Sequence, residues 1–244
     1  MFKFLKSAAV IVGILAAPAT VAEDPQIHYM GFNAFGADKA KSSEVFDAYL
    51  ETLRPIMARY EMTADAYNVV HGGSDNLRAD VVTFGTAKDQ ASFQAFFQDP
   101  EFQKIFPMLL GALDDHQVVF TSGAFVPNPQ HGAHTLLSAS WFKDGAEAPL
   151  KTMASINHKI EPVFAKYGVE MLGHTAGVYS NRGLAAEVKD THAPQLIELW
   201  SIKDAHGFLD DPLMKEAGHD LEALVERSED FWIVRRPVGG HGHH

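Results

Sequence analysis

The chain has 244 residues and no cysteine, with 20 Lys and Arg against 31 Asp and Glu, a net charge of −11 with histidine neutral. The missing cysteines exclude disulfides, thiolate metal ligation and cysteine nucleophiles. The acidic balance disfavours nucleic acid and anionic lipid, since both need clustered Lys and Arg.

Lys3 and Lys6 precede an apolar run from Ala8 to Ala17, and Thr20-Val21-Ala22 follows as a small-x-small site. The run is too short to span a bilayer, so residues 1–22 read as a signal peptide. Its loss removes two lysines and no acids, which takes the net charge from −11 to −13. The expectation is a periplasmic or secreted protein that starts near Glu23 and keeps no membrane contact.

Gln26 to Phe35 reads as a strand. Ser43 to Tyr60 reads as a helix with Ser43 as N-cap, because Phe46, Tyr49, Leu50, Leu53, Ile56 and Met57 recur every three or four residues. Strands follow at Ala64–Val70 and Ala79–Phe84, separated by the turn residues from His71 to Asn76. A helix starts at Asp89 and breaks at Asp99-Pro100, and Gln117–Thr121 closes a βαββαβ unit. Pro127 and Pro129 mark a linker at 126–133, and the order then restarts. Strands are expected at Thr135–Phe142, Val169–Tyr179, Gln195–Trp200 and Phe231–Arg235, with helices at Leu150–Tyr167 and Ala205–Arg227. This divides the chain into residues 23–125, a linker at 126–133, residues 134–237 and a tail at 238–244.

Two matches run in the same order through both parts. Arg54-Pro55-Ile56-Met57-Ala58-Arg59-Tyr60 corresponds to Glu161-Pro162-Val163-Phe164-Ala165-Lys166-Tyr167. Val82-Thr83-Phe84 with Lys88-Asp89, Phe93 and Asp99-Pro100 corresponds to Ile197-Glu198-Leu199 with Lys203-Asp204, Phe208 and Asp211-Pro212. The expected fold is α+β: tandem ferredoxin-like βαββαβ repeats that meet sheet to sheet as an intramolecular α/β barrel. The stretch Val82-Thr83-Phe84…Ala91-Ser92-Phe93…Asp99-Pro100-Glu101-Phe102-Gln103 resembles the dimeric α/β-barrel superfamily, which includes antibiotic-biosynthesis-type monooxygenases. That resemblance implies a cavity between the sheets and no particular chemistry. The first reading is an exported protein that uses this cavity for a small organic ligand, either as a binding protein or as an enzyme that would most resemble a cofactor-independent monooxygenase; some members of the group bind haem.

The positions that are apolar in both copies, Val82 with Ile197 and Phe84 with Leu199, are expected to face the helices. Period two then turns Val81, Thr83, Glu198 and Trp200 into the inter-sheet space. A carboxylate there is a candidate general base if burial raises its pKa, and a solvated or Arg-paired side chain otherwise. Glu198 and His174 are therefore the candidate catalytic residues. Trp200, Tyr67, His71 and His28 are the candidate ligand contacts, and His174 or His71 is the candidate axial ligand for a haem. His158 and His219 fall on polar helix faces and read as solvated.

The second reading is a metal handler. His241, His243 and His244 on a glycine-rich tail suit Cu(II), Ni(II) or Zn(II). The last strand should deliver them beside His131 and His134. A third reading fills the inter-sheet space with core side chains and leaves an interaction module. No phosphate loop, nucleophile elbow or paired helical histidines selects among these.

Overall fold

The computed structural model describes residues 26–123, 133–146, 148–182 and 192–237. Among them are nine strands and six helices. The first part runs β1 (Ile27–Phe35), α1 (Lys39–Arg59), β2 (Met62–Gly72), β3 (Val81–Ala87), α2 (Gln90–Gln98), α3 (Pro100–Ala112) and β4 (Leu113–Thr121). The second runs β5 (His134–Phe142), α4 (Pro149–Tyr167), β6 (Val169–Thr175), β7 (Gly177–Arg182), β8 (Leu196–Ile202), α5 (Ala205–Asp210), α6 (Pro212–Leu224) and β9 (Val225–Arg235). None of the described helices is long and apolar enough to cross a membrane.

Local chemistry sets the helix ends. The Asp38 carboxylate accepts from the Lys41 amide, so α1 starts before the expected cap at Ser43. Asp99 precedes a proline and is therefore held out of the helical region, at φ −61 and ψ 125. It ends α2 and caps α3 by accepting from the Glu101 and Phe102 amides. Asp211 does the same between α5 and α6 through the Leu213 amide. The second carboxylate oxygen of each is tied back to the first helix of its own half. Tyr60 Oη donates to Asp99 at 2.7 Å with Arg59 at 2.9 Å, and Tyr167 Oη donates to Asp211 at 3.0 Å with Lys166 at 2.8 Å. The two sequence matches of each half thus meet in space as one hydrogen-bonded knot. The helix expected to reach Arg227 stops at Leu224, where β9 begins.

All nine strands form one antiparallel sheet in the order β6-β8-β5-β9-β2-β3-β1-β4-β7. The two halves join where β2 pairs with β9, Tyr67 opposite Arg235, and where β4 pairs with β7, Phe120 opposite Tyr179. The ends of the order, β6 and β7, are consecutive in the chain with only Ala176 between them, and they do not pair with each other. The strand expected at Val169–Tyr179 is thus two strands that serve opposite halves.

Each sheet face is buried against something different. Between the halves, Met30, Phe32, Tyr67, Val82, Phe84 and Val119 pack on Leu137, Ala139, Ile197, Leu199, Phe231 and Ile233. The other faces carry the helices: Phe46, Leu53, Ile56, Phe96 and Phe102 cover Val81 and Ala87 in the first half. In the second, Val163 and Phe208 cover Trp200 and Ile202. This inverts the expected phase. Val82, Phe84, Ile197 and Leu199 point between the halves, whereas Val81, Glu198 and Trp200 point under the helices. A strand buried on both faces reads as a continuous apolar run, so shared apolar positions mark the drier face and not the helix-covered one. The inter-sheet space expected to hold the site is filled by core side chains.

Candidate functional site

Both cavities that matter lie between the sheet and the helices, one per half. The larger measures about 440 Å³ in the second half, lined by strand residues of β5, β8 and β9 and by α4 and α6. On its floor the strand register lines up three polar side chains. Ser138 of β5 sits opposite Glu198 of β8 and opposite Asp230 of β9, so all three project to the same face. Trp200, Phe164 and Met214 form the adjoining apolar wall.

Glu198 is buried and has one neutral partner, the Asn157 amide of α4 at 3.4 Å. Burial raises its pKa to about 7. The Asn157 bond offsets part of that shift, and the nearby Asp230 adds to it. Neither Arg235 nor Arg236 serves as its counter-ion: Arg235 reaches Asp65 at 3.5 Å, and Arg236 binds Asp47 at 2.7 Å. Asp230 keeps solvent contact, yet the side chains packed around its carboxyl raise its pKa as well, against a hydrogen bond from Ser138. A carboxyl that is half ionised near neutrality, inside a pocket and beside an amide, has the chemistry of a general base or acid.

The other sequence candidates scatter. His174 is opposite Glu198 in the β6–β8 register but is exposed and is not part of the cavity wall. Trp200 does line the cavity. Tyr67 is sealed in the core between the halves, edge-on to Phe84 at 5.4 Å between ring centroids, and touches neither cavity. His71 is exposed near the end of β2. His28 is buried beside a minor recess of about 30 Å³, away from Glu198. His158 and His219 are solvent-exposed as expected.

The metal set does not assemble among the described residues. His134 is exposed with its ring edge-on to Trp232 at 6.1 Å, and no cluster of three His, Asp or Glu fit to hold a metal occurs there. His131, His241, His243 and His244 lie outside the described residues. A haem does not fit the donor set either. The described residues around the larger cavity include no histidine, cysteine or tyrosine, and both proposed axial ligands, His174 and His71, lie off its wall.

Sequence reasoning missed Asn157, Ser138 and Asp230. The signal lay in the matching stretches, because each stands where the first half has an apolar residue or glycine: Leu50, Gly31 and Val118. Glu198 likewise replaces Thr83.

The first-half cavity is smaller, about 120 Å³, and mainly aromatic. Its polar members are Tyr29, Asn33, Tyr49, Thr83 and His116. Asn33 donates to the carbonyls of Gly31 and Val81, each at 3.1 Å, and its oxygen faces His116 Nδ1 at 2.9 Å.

No family model matches the chain, and no curated protein sequence matches it. Solved structures do. A mutant chlorite dismutase from Candidatus Nitrospira defluvii aligns with TM-score 0.51 at 9% identity, covering 89% of this chain and 94% of its own. A Fusobacterium nucleatum protein provisionally named a monooxygenase aligns with TM-score 0.50 at 10% identity, covering 91% of this chain and 96% of its own. At such identities the likeness is one of fold: an α+β chain with a large antiparallel sheet, similar to monooxygenase-like and chlorite-dismutase-like proteins of ferredoxin-like type.

Proposed function

We propose that this chain is a cofactor-independent, monooxygenase-like enzyme whose active site is the second-half cavity, with Glu198 as general base. It consists of two fused ferredoxin-like repeats that share one sheet, which the unpaired end strands β6 and β7 leave open and not closed as the expected barrel, and it is exported after loss of residues 1–22. The carrying observation is the Glu198 carboxyl, buried in a 440 Å³ pocket with a pKa near 7. The fold shared with a protein provisionally named a monooxygenase is in keeping with this.

The substrate is a small organic molecule with a weakly acidic C–H or O–H. Glu198 takes that proton, and the resulting carbanion or enolate supplies the electrons to dioxygen. For a methylene carbon, one oxygen atom ends as the carbonyl and the other leaves as water, with both hydrogens: R2CH2 + O2 gives R2CO + H2O. Trp200 and Phe164 provide the apolar wall against which a flat ring stacks, and Asn157 holds the carboxyl in place.

Dioxygen uptake by the chelator-treated protein, over a panel of hydroxyarenes and cyclic aryl ketones, tests the reading. Uptake is expected to rise with pH through about 7, and Glu198→Gln should cut it about 10²–10⁴-fold, the usual worth of a general base. An unchanged rate in that variant, or no uptake with any compound, sinks the proposal.

A further inference from the structure

The first-half cavity is structurally the counterpart of the site above, yet it holds neither of its carboxylates. Its polar groups form a set of their own. Asn33 has both amide hydrogens committed to the Gly31 and Val81 carbonyls, so its oxygen is the end that faces His116. An amide oxygen only accepts, so His116 Nδ1 carries the proton and Nε2 keeps its lone pair. Burial pushes the His116 pKa down to about 4, and the ring stays neutral at physiological pH. Burial likewise pushes Tyr29 and Tyr49 far above the ordinary tyrosine value, with Tyr29 adding to the shift of Tyr49, so both keep their protons.

Tyr49 is 5% exposed and lines the cavity, as does Tyr29. Neither hydroxyl makes a hydrogen bond with the described residues. Neither hydroxyl oxygen is among the described side-chain atoms that are fully buried without a partner, so both keep access to the cavity as donors for an acceptor oxygen. The remaining wall is aromatic: Phe96 and Phe102 pack with ring centroids 4.3 Å apart, and Phe97 packs on both and on Phe93. A dry apolar cavity of about 150 Å³ accepts benzene, and this one of about 120 Å³ has the same scale with polar groups added.

We infer that the first-half cavity is a second ligand site, separate from the Glu198 site, built for a neutral, single-ring aromatic molecule that carries a hydroxyl or carbonyl. The tyrosine hydroxyls donate to its oxygen, the aromatic wall takes its ring, and the absence of charged groups in the wall rejects ions. Such a site does not depend on the function proposed for the other half.

Phenol and benzene are the probes, titrated calorimetrically against the full chain, with the bound position read from protein-to-ligand NMR contacts. Phenol should bind at the first-half cavity about tenfold more tightly than benzene. Changing Tyr29→Phe and Tyr49→Phe together should remove that advantage while benzene binding persists. Should the double variant fail to fold, Val118→Leu places extra volume in the cavity and should weaken both probes, whereas Glu198→Gln should leave first-half binding unaltered. Phenol contacts confined to the second half, equal affinities for the two probes, or water that phenol does not displace would each overturn the inference.

Discussion

The two halves share one plan and use it for opposite chemistry. Between sheet and helices, the first half presents Gly31, Leu50, Thr83 and Val118, and the second presents Ser138, Asn157, Glu198 and Asp230 at the matching places. One row further along the strands the roles reverse. Asn33, buried, and His116, partly buried, form a polar pair in the first half, where the second has Ser140 and Ser228. Size follows the same divergence. Gly85 lies under the Tyr29 ring, which a Cβ there would strike, so the first-half floor is closed by a tyrosine laid over a glycine. The second half replaces this pair with Trp200 and Leu136, and its cavity is several times larger, about 440 Å³ against 120 Å³. The lesson is that the scaffold fixes where a cavity forms, and a handful of inward positions decides whether it is charged or neutral.

The two halves should respond to pH in opposite directions. Glu198 has its folded pKa raised from 4.5 to about 7, so folding is penalised once the chain must ionise it. That penalty is absent below about 4.5, grows as pH rises and is complete above 7. At about 1.4 kcal/mol per pH unit it reaches roughly 3 kcal/mol. His116 has its folded pKa lowered from 6.5 to about 4. Its contribution is fully present above 6.5 and is lost as pH falls toward 4, again by roughly 3 kcal/mol. The two slopes oppose each other over most of the interval between 4.5 and 6.5, and the parent protein should show little net dependence there. Glu198→Gln should then gain stability with pH across that window, and His116→Asn should lose it. Urea unfolding at half-unit pH steps reads both slopes. Parallel slopes in the two variants would mean that the halves do not carry opposite buried groups.

A smaller effect tests what the halves have in common. Asp99 and Asp211 each cap a helix and each receive a tyrosine hydroxyl; their carboxyls are held below the usual carboxylate range, Asp99 chiefly by the Tyr60 hydroxyl and Asp211 chiefly by the Lys166 ammonium. Asp99→Asn and Asp211→Asn keep a cap but lose the charge that Arg59 and Lys166 meet. Each should lower Tm by only a few degrees, since asparagine caps nearly as well and the partner cations are well exposed. Alanine at either place should cost more than asparagine. A large loss at one position and none at the other, in thermal scans of the four variants, would show that the knots are not equivalent.

Much of this architecture was legible in the sequence because two sets of matching stretches run in the same order through it. The Asp-Pro breaks, the prolines at 55 and 162 within the helices, and the order of elements all follow from local rules that a single copy suggests and two copies fix. Glu198 and Trp200 were legible as the places where the copies part. What failed was orientation. Val82, Phe84, Ile197 and Leu199 are apolar because they fill the space between the halves, and no period-two argument says which of two buried faces is which. Placing Glu198 between the sheets followed from that error; Tyr67 does face the space between the halves, but that space is filled by core side chains. His116 was missed for another reason. Its partner Asn33 stands 83 residues away, and only strand pairing brings the imidazole and the amide together.

The smallest expected effect isolates one exchange between the halves. Asn157 occupies the place of Leu50 on the first helix, and its amide meets Glu198 at 3.4 Å, a long contact. Because that amide favours the ionised carboxylate, Asn157→Leu should raise the Glu198 pKa further, while burial remains the dominant influence on it. A contact of this length is weak, so the shift should stay below about one pH unit. Carbon-13 NMR of the labelled Glu198 carboxyl, titrated from pH 5 to 9 in both proteins, measures it directly. A downward shift would mean that Asn157 props the carboxyl in its neutral form. It would then be a partner of the acid and not of the base, which would reverse the direction in which Glu198 is poised to move a proton.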